Sequence, residues 1–410
     1  VSLRAKRSNL LRDCHGKQKA SLAMTRKNTV INKERLIKLT RQLLRIDSSN
    51  PPGNEVAVAD CVIRDLKSIG LDIKIYTFAK NRPNVVATLK GTWPRARARR
   101  EALLITPHYD TVPFGKGWKF DPLGAAIHGG RIYGRGASDD KGNCAVGMEV
   151  LRSLVQEGGR LQRDIVFAAT ADEETGSKLG VLPLLKKGIL RPKVALILDS
   201  EEFDAIIAQK GLFHCRVQIF GKKAHGAYNW LGVNAIEIAA RVINRLKKHQ
   251  FKYTKHPLLV APTKNIGTIR GGDKVNIVAD FCEFSMDIRF LPGQNANGVL
   301  KEIKNIIAQV TKNFKVILDD TQKPYGIDPR HPFVKTYGDT CRQMGLKAHY
   351  KGSQGATVIT FFQDYGIPAF STGWGSHGVV HANDEYVEIK NLYNGARVLE
   401  AFVKAYDVRA

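Results

Sequence analysis

The chain has no CxxC pair, although it holds six cysteines in 410 residues. Cys14, Cys61, Cys144, Cys215, Cys282 and Cys341 are scattered instead. That spread argues against a disulfide framework and against a zinc-thiolate site, and it suits buried thiols in a reducing cytoplasm. No apolar run approaches the ~18 residues of a membrane span, so a soluble protein with no membrane partner is expected. A G-x-S-x-G elbow for a serine nucleophile is missing. So are a zinc-knuckle pattern and a basic stripe interleaved with aromatics, so nucleic acid is not an expected partner. Internal repeats and low-complexity segments are also lacking.

Acidic residues are scarce beside basic ones, 38 against 64, for a net charge of +26. Residues 1–45 carry 13 Lys or Arg against Asp13 and Glu34, and Arg95, Arg97, Arg99 and Arg100 form a second basic cluster. Such charge can attract nucleic acid, membrane or an anionic substrate. A solvated surface with a basic tail accounts for it as well. Residues 1–23 have neither a hydrophobic period nor the apolar core of a secretion signal. They read as a basic, disordered extension, with Met24 as a downstream start, and their Arg-rich, acid-poor character also resembles an organelle transit peptide.

The length favours two domains over one. Glu34–Arg45 has apolar residues at helical spacing and ends at the breakers Pro51, Pro52 and Gly53. Short apolar strands follow at LDIKIY, NVVATL, ALLITP, DIVFAAT and VALILD, with a helix over Gly142–Gln156. Strands alternating with helices predict an α/β fold with a mostly parallel sheet, whose ligands bind beyond the carboxyl ends of the strands. From about Gly211 the pattern becomes FHCRVQIF (strand), Asn234–Lys248 (helix), NIGTIR and VNIVADFCEFSMDIRF (strands), Ala296–Lys312 (helix) and VILD. That order predicts an inserted ferredoxin-like α+β domain over 210–322, within a first domain made of 24–209 and 323–410.

His108 and Asp110 follow the strand ALLITP. A metal-bound imidazole needs its other nitrogen held, and a carboxylate two residues along an extended segment can hold it. Taken alone, the pair is better read as a loop histidine beside a solvated acid; the partners that follow reverse that. Asp139 lies among Gly134, Gly136 and Gly142, where backbone can approach a site closely. Its two oxygens can bridge ions ~3.5–4 Å apart. Capping the helix that follows is its competing role, and Asp140 competes for that. Glu173 and Glu174 follow IVFAAT. Adjacent carboxylates near a third acid repel one another unless cations are bound. One can ligate while the other acts as general base toward water. Together these residues form the donor set that a two-metal hydrolytic site needs.

HYDTVP, GRGASDDKG and ADEETGS, in that order, resemble the co-catalytic zinc metallopeptidase family of succinyl-diaminopimelate desuccinylase, acetylornithine deacetylase, aminoacylase and glutamate carboxypeptidase. NPPGNE, GKKAHGAYNWLGVNAI, GGDKVNIVAD, DIRFLPG and HANDEYV look like that family's other blocks, so the resemblance runs from about residue 33 to 405. It implies a zinc-exopeptidase-like catalytic domain with two divalent ions, zinc or cobalt. It further implies that His108 binds one metal, Asp110 orients its imidazole, and Asp139 bridges both. Glu173 would be the general base, with Glu174 and His381 on the second metal. Asp199 would be the remaining acidic ligand, with Glu201 as the alternative. His377 competes with His381, but only His381 has Glu385 at the family spacing.

On the inserted domain, the resemblance implies that His225 reaches the active site of a homodimer partner and stabilises an oxyanion. Asn276 and Arg289 match positions that bind the substrate carboxylate or neighbouring groups. Gln354 stands where the family often has an acid, which puts any substrate contact from that loop in doubt. The implied activity is hydrolysis of an amide or peptide bond next to a free carboxylate in a small acyl-amino-acid or peptide, as an N-acyl-amino-acid deacylase. A broad-specificity carboxypeptidase or dipeptidase is the rival enzyme. A catalytically silent, basic binding protein is the rival of another class, and the intact set of acids argues against it.

Overall fold

The computed structural model describes residues 30–158 and 160–408. The extension expected over 1–23, the start at Met24 and Cys14 lie outside the described residues. The chain forms two compact units. The first holds the described residues up to Ala205, then Arg330–His349, then the chain from Ile367; the second holds Ile206–Pro329 and Tyr350–Gly366. The expected insertion, 210–322, lies inside the second unit.

The first unit contains strands β1 (Asp72–Thr77), β2 (Pro83–Leu89), β3 (Leu103–Thr106), β4 (Ala126–His128), β5 (Arg131–Tyr133), β6 (Ile165–Ala169) and β7 (Val194–Leu198). Two later strands, β15 (Ala369–Thr372) and β16 (Tyr386–Glu388), return to it. Its main sheet runs β1-β2-β6-β3-β7-β15. The pairs β6–β3, β3–β7 and β7–β15 are parallel, while β1–β2 and β2–β6 are antiparallel. The residues of β3 and β7 are buried throughout, as parallel strands covered on both faces must be.

The helices of this unit are α1 (Lys33–Leu44), α2 (Val56–Lys67), α3 (Arg95–Arg100), α4 (Lys141–Gln156), α5 (Val181–Lys186), α8 (Pro332–Gln343) and α10 (Ile389–Val408). Helix α4 packs against α1 and α10 and is buried on nearly every side. It lies so close to the sheet that a Cβ on Gly147 would come within 2.5 Å of the Phe167 ring. The cluster RARARR is α3. There Arg95 forks onto Asp164 with two bonds of 2.8 Å, and Arg97 lies 3.8 Å over the Trp93 ring. Arg95 and Arg97 of that basic cluster therefore serve internal contacts.

In the second unit, β8 (Ala205–Gln209) leads into β9 (Gly211–Phe220), α6 (Ala235–Lys248), β10 (Thr263–Gly271), β11 (Phe281–Phe290), α7 (Ala296–Ala308) and β12 (Phe314–Gln322). Short elements β13 (Tyr325–Gly326), β14 (Tyr350–Ser353) and α9 (Ile359–Gln363) complete it. The sheet order β10-β11-β9-β12 is antiparallel throughout, the ferredoxin-like arrangement that the sequence predicts. Phe213, Cys215, Val217 and Ile219 of β9, with Phe284 and Met286 of β11, pack beneath Ile238, Val242, Val299 and Ile303 of α6 and α7. The alternate residues His214, Arg216 and Gln218 point to the other face. One expectation differs: VNIVADFCEFSMDIRF is a strand only from Phe281. Ahead of it, the backbone turns to the 221–235 segment, through Val278 N–H to Ala224 O, Ala235 N–H to Ala279 O and Gly221 N–H to Asp280 O. Within 275–280 only Val278 and Ala279 are buried, while Val275 and Ile277 are exposed, so the segment does not extend the sheet.

Among the described residues, no helix is long and apolar enough to cross a membrane, and Cys61, Cys144, Cys215, Cys282 and Cys341 are free thiols. The fully buried Phe284 anchors the second unit's core. Phe284→Ala is expected to cost about 3–5 kcal/mol. Chemical denaturation followed by circular dichroism measures it, and a loss below about 1 kcal/mol would contradict this packing.

Candidate metal centre

Strand β3 ends at Thr106, and the chain stays extended through His108, which pairs as an isolated parallel bridge with Thr170 just past β6. The carboxyl ends of two neighbouring parallel strands thus bring His108 beside the turn Glu173–Thr175. The His108 ring is buried. Its Nδ1 lies 3.0 Å from the backbone carbonyl of Asp110 and 3.5 Å from Asp110 Oδ1, and its Nε2 lies 2.9 Å from Asp139 Oδ1. With Nδ1–H donating to Asp110, Nε2 faces Asp139, and on giving up its proton it would offer that position's lone pair to a cation. Burial disfavours charge on this ring, but hydrogen bonds to Asp110 and Asp139 outweigh it and hold its pKa well above the histidine range.

The buried Asp110 does more than face His108. Its Oδ2 accepts from Asn50 Nδ2 at 2.8 Å and from Glu174 N–H at 3.2 Å, and its Oδ1 accepts from Glu173 N–H at 3.1 Å. Burial favours the protonated acid, yet bonds from His108, Asn50 and Glu173 N–H bring its pKa below the usual value. Asp110 therefore stays ionised and ties the imidazole to the turn that carries the acid pair.

Asp139 sits at the end of a turn between β5 and α4. The wholly buried Glu385 gathers that turn. Its Oε1 accepts from Ser138 N–H at 2.9 Å and Asp139 N–H at 3.1 Å, and its Oε2 accepts from Arg135 Nη1 at 2.7 Å and Gly136 N–H at 3.2 Å. Gly136 has φ +87°, and a Cβ there would meet Thr111 Cγ2 at 2.8 Å. Pairing of β16 with β5 sets Glu385 next to this turn. The peptide between Asp139 and Asp140 is cis. Asp140 heads α4, but its side chain does not cap the helix. It accepts instead from His108 N–H at 3.0 Å and Asn143 Nδ2 at 2.7 Å.

The two oxygens of Asp139 face different histidines. Oδ1 meets His108 Nε2 at 2.9 Å, and Oδ2 lies 3.2 Å from His381 Nε2, which is also 3.2 Å from Glu174 Oε2. Ligand atoms of His108, Asp139 and Glu174 all lie within 4.8 Å of one another. Asp199 directly follows β7 and is half-buried. Burial, followed by the charge of Asp139, pushes its carboxyl up to about 7. Burial likewise raises Glu173 and Glu174, helped by Asp199 for the first and by Asp139 for the second. Of Asp139, Glu173, Glu174 and Asp199, only Asp139 is held low, by hydrogen bonds from His108 and His381 that overcome its burial. These acids cannot all ionise together without added positive charge, so the residues fit divalent cations. The rivals Glu201 and His377 are hydrogen-bonded to each other through Oε2 and Nδ1.

In the second unit, the exposed His225 uses Nδ1 to accept from Ala227 N–H at 3.1 Å, so the neutral ring carries its proton on Nε2. His225 pairs with Ile277, and Gly226 N–H donates to Asn276 O at 2.8 Å, which sets Asn276 beside it. Arg289 is elsewhere. It lies opposite Leu212 near the start of β9, whereas His225 follows the far end, roughly 25 Å away at the rise of a strand. Its guanidinium forks onto Asp287 at 2.8 and 3.2 Å. Gln354 follows β14 and is exposed. Sequence reasoning gave Glu385 only a spacing role and gave Asn50 none; both supply hydrogen bonds at the centre.

The family model described as peptidase family M20/M25/M40 matches residues 104–405. Acetylornithine deacetylase of Vibrio cholerae is 28% identical over 379 residues, covering 90% of this chain and 96% of that protein. The solved structure of a tripeptidase from Staphylococcus aureus superposes with a TM-score of 0.76 at 25% identity, covering 92% of this chain and 99% of that one. A dinuclear metal binding peptidase from Bacillus subtilis superposes with a TM-score of 0.71 at 15% identity, over 90% and 97% of the two chains. The acid and histidine cluster lies within the matched span, and the chain belongs to peptidase family M20/M25/M40 as one of its hydrolases.

Proposed function

We propose that this hydrolase holds two divalent cations, zinc or cobalt, and cleaves an amide bond next to a free carboxylate, as an N-acyl-amino-acid deacylase. The observation that carries this reading is Asp139, which turns one carboxylate oxygen toward His108 and the other toward His381. His108 and Asp199 would complete one cation's ligands, and Glu174 and His381 the other's, with Asp139 shared between them. When bound, the cations would polarise the substrate carbonyl and lower the pKa of water. Asp110 keeps His108 in register through Nδ1. Glu173, whose carboxyl burial raises, takes the proton from the attacking water and delivers it to the leaving amine. Arg289 would hold the substrate carboxylate, turning from Asp287 to do so, while Asn276, set beside His225, would reach a neighbouring substrate group across the homodimer.

His225 would act across a homodimer, donating its Nε2–H to the oxyanion of the neighbouring site. Beside it, Tyr228, Trp230, Leu231, Val233, Ile236 and Ile277 are exposed apolar residues, Trp230 to 72%. A patch of this kind is suited to burial against a second copy. The relationship to a tripeptidase favours the rival reading, a dipeptidase or carboxypeptidase. Assay of metal-loaded protein on N-acetyl-amino acids, N-succinyl-amino acids and dipeptides separates the two. Turnover confined to dipeptides would replace the deacylase reading, and no turnover on any of them, with no bound metal, would overturn both.

Glu173→Gln is expected to keep both metals and lose turnover, because an amide cannot accept the water's proton. Glu174→Gln is expected to weaken metal binding. Near wild-type kcat for Glu173→Gln at saturating metal would contradict the base assignment.

The metal-free centre gives a pH signature. His381 is raised to about 10, chiefly by Asp139 and Glu174, so its stabilising contribution is complete below the usual histidine pKa and is lost as pH climbs toward 10. Asp199 is raised to about 7, so its ionisation penalises the fold increasingly as pH rises from 4 through 7. Both effects weaken the metal-free protein as pH rises, and cation binding removes them. The melting-temperature gap between zinc-loaded and chelator-treated protein should therefore widen from about pH 5 to about pH 9. Scanning calorimetry at matched salt measures it; a constant or narrowing gap would contradict the proposed ligands.

His225→Ala is expected to lose on the order of 2.7–4 kcal/mol of transition-state stabilisation, the size of one oxyanion donor, with metal content unchanged. Mixed with Glu173→Gln under demonstrated subunit exchange, it should regain part of the activity. A mixture as inactive as its parents would refute action across the dimer.

A further inference from the structure

The segment NPPGNE, Asn50–Glu55, has no part in the chemistry above, yet Asn50 reaches the acid-bearing turn directly, and Glu55 and Gly53 meet it through Arg82. Asn50 Nδ2 donates to Asp110 Oδ2 at 2.8 Å and to Thr175 Oγ1 at 3.1 Å. Glu55 is wholly buried, and its Oε2 lies 2.7 Å from Arg82 Nε. Arg82 Nη2 in turn donates to Asp172 Oδ1 at 3.0 Å. Asp172 also accepts from the Thr175 hydroxyl at 2.6 Å and from Leu179 N–H at 2.8 Å. The polar chain thus runs Glu55, Arg82, Asp172, Thr175, Asn50, Asp110, and Asp110 closes it on the N–H groups of Glu173 and Glu174. Gly53 makes room for it. With φ +82°, any Cβ there would lie 2.4 Å from Arg82 Cζ.

Packing alone does not account for these charges. Replacing a buried ion pair with apolar side chains is often neutral or stabilising, because desolvation offsets the attraction. Geometry gives a reason to keep them. Asp172 is a non-glycine residue with φ +68°, a conformation that needs surrounding structure to enforce it, and it immediately precedes Glu173. Arg82 is a fixed planar fork, able to hold Asp172 against Glu55 at a set distance.

We propose that Asn50, Glu55 and Arg82 are positioning residues, a buried polar brace that sets the turn of Glu173 and Glu174 against His108 and Asp110. The brace thereby fixes one cation's affinity and the reach of the general base. This inference rests on the two-cation reading above. Arg82→Lys keeps the charge but loses the fork, Glu55→Gln keeps the volume but loses the charge, and Gly53→Ala crowds the guanidinium.

Chelator-treated full-length protein is titrated with Co2+ and followed by visible absorption, with melting and steady-state kinetics on the same samples. Wild type should take up two Co2+ ions in two steps. Each variant should bind the first as wild type does and the second about 10–100-fold more weakly. At saturating Co2+, kcat should fall while KM is unchanged. Arg152→Met, which breaks the Arg152–Asp65 pair of 2.6 Å between α4 and α2, should lower the melting temperature and leave both cobalt steps intact. If Arg82→Lys does not fold, Glu55→Gln decides. Folded variants with two wild-type cobalt steps and wild-type kcat overturn the inference. So does parallel weakening of both steps in proportion to melting temperature, which marks a purely structural role. Wild type that binds no Co2+ overturns the two-cation reading instead.

Discussion

Mutual repulsion among buried carboxylates organises this molecule. Asp139, Glu174, Glu173 and Asp199 converge beyond the carboxyl ends of β3, β6 and β7, and burial raises the last three of them. A fold gains nothing from such a cluster by itself, since each unpaired buried charge is strongly disfavoured. The surrounding structure nevertheless holds the acids in place with buried partners: Glu385 for the turn of Asp139, Asp110 and Asn50 for the turn of Glu173 and Glu174. Positive charge from the proposed cations would resolve the conflict, and the parallel sheet supplies the edge on which these side chains stand.

The same logic separates the site's parts by rigidity. His108 and Asp110 leave a strand directly and are buried. His381 comes from a loop, has φ +62° and is half exposed. A residue on a surface loop is free to vary in position more than one that leaves a buried strand. The second unit keeps its own core under α6 and α7, and it groups His225 with Asn276 at one end of its sheet and Arg289 at the other.

Much of this was legible in the sequence, for identifiable reasons. LLIT and VALIL read as buried strands because nothing polar interrupts them, and FHCRVQIF read as half-buried because it alternates. His108, Asp139, Glu173 and Glu174 stood out because each follows such a strand or a glycine-rich turn. What stayed hidden depends on contacts between distant segments. Residues 275–280 share the apolar character of a strand but bond to the 221–235 loop. The three-stranded sheet β16-β5-β4 is too short and too separated in sequence to show a period. Arg82 carried no local signal, since its meaning lies in Glu55 and Asp172 on either side.

Asp139 is proposed to lie between two cations. Anomalous diffraction from crystals of the zinc-loaded protein, recorded on both sides of the zinc edge, tests it most directly. Two peaks about 3.5–4 Å apart, one beside His108 and one beside His381, with an Asp139 oxygen on each, are the expected result. One peak alone, or two peaks with Asp139 bound to only one of them, would contradict it.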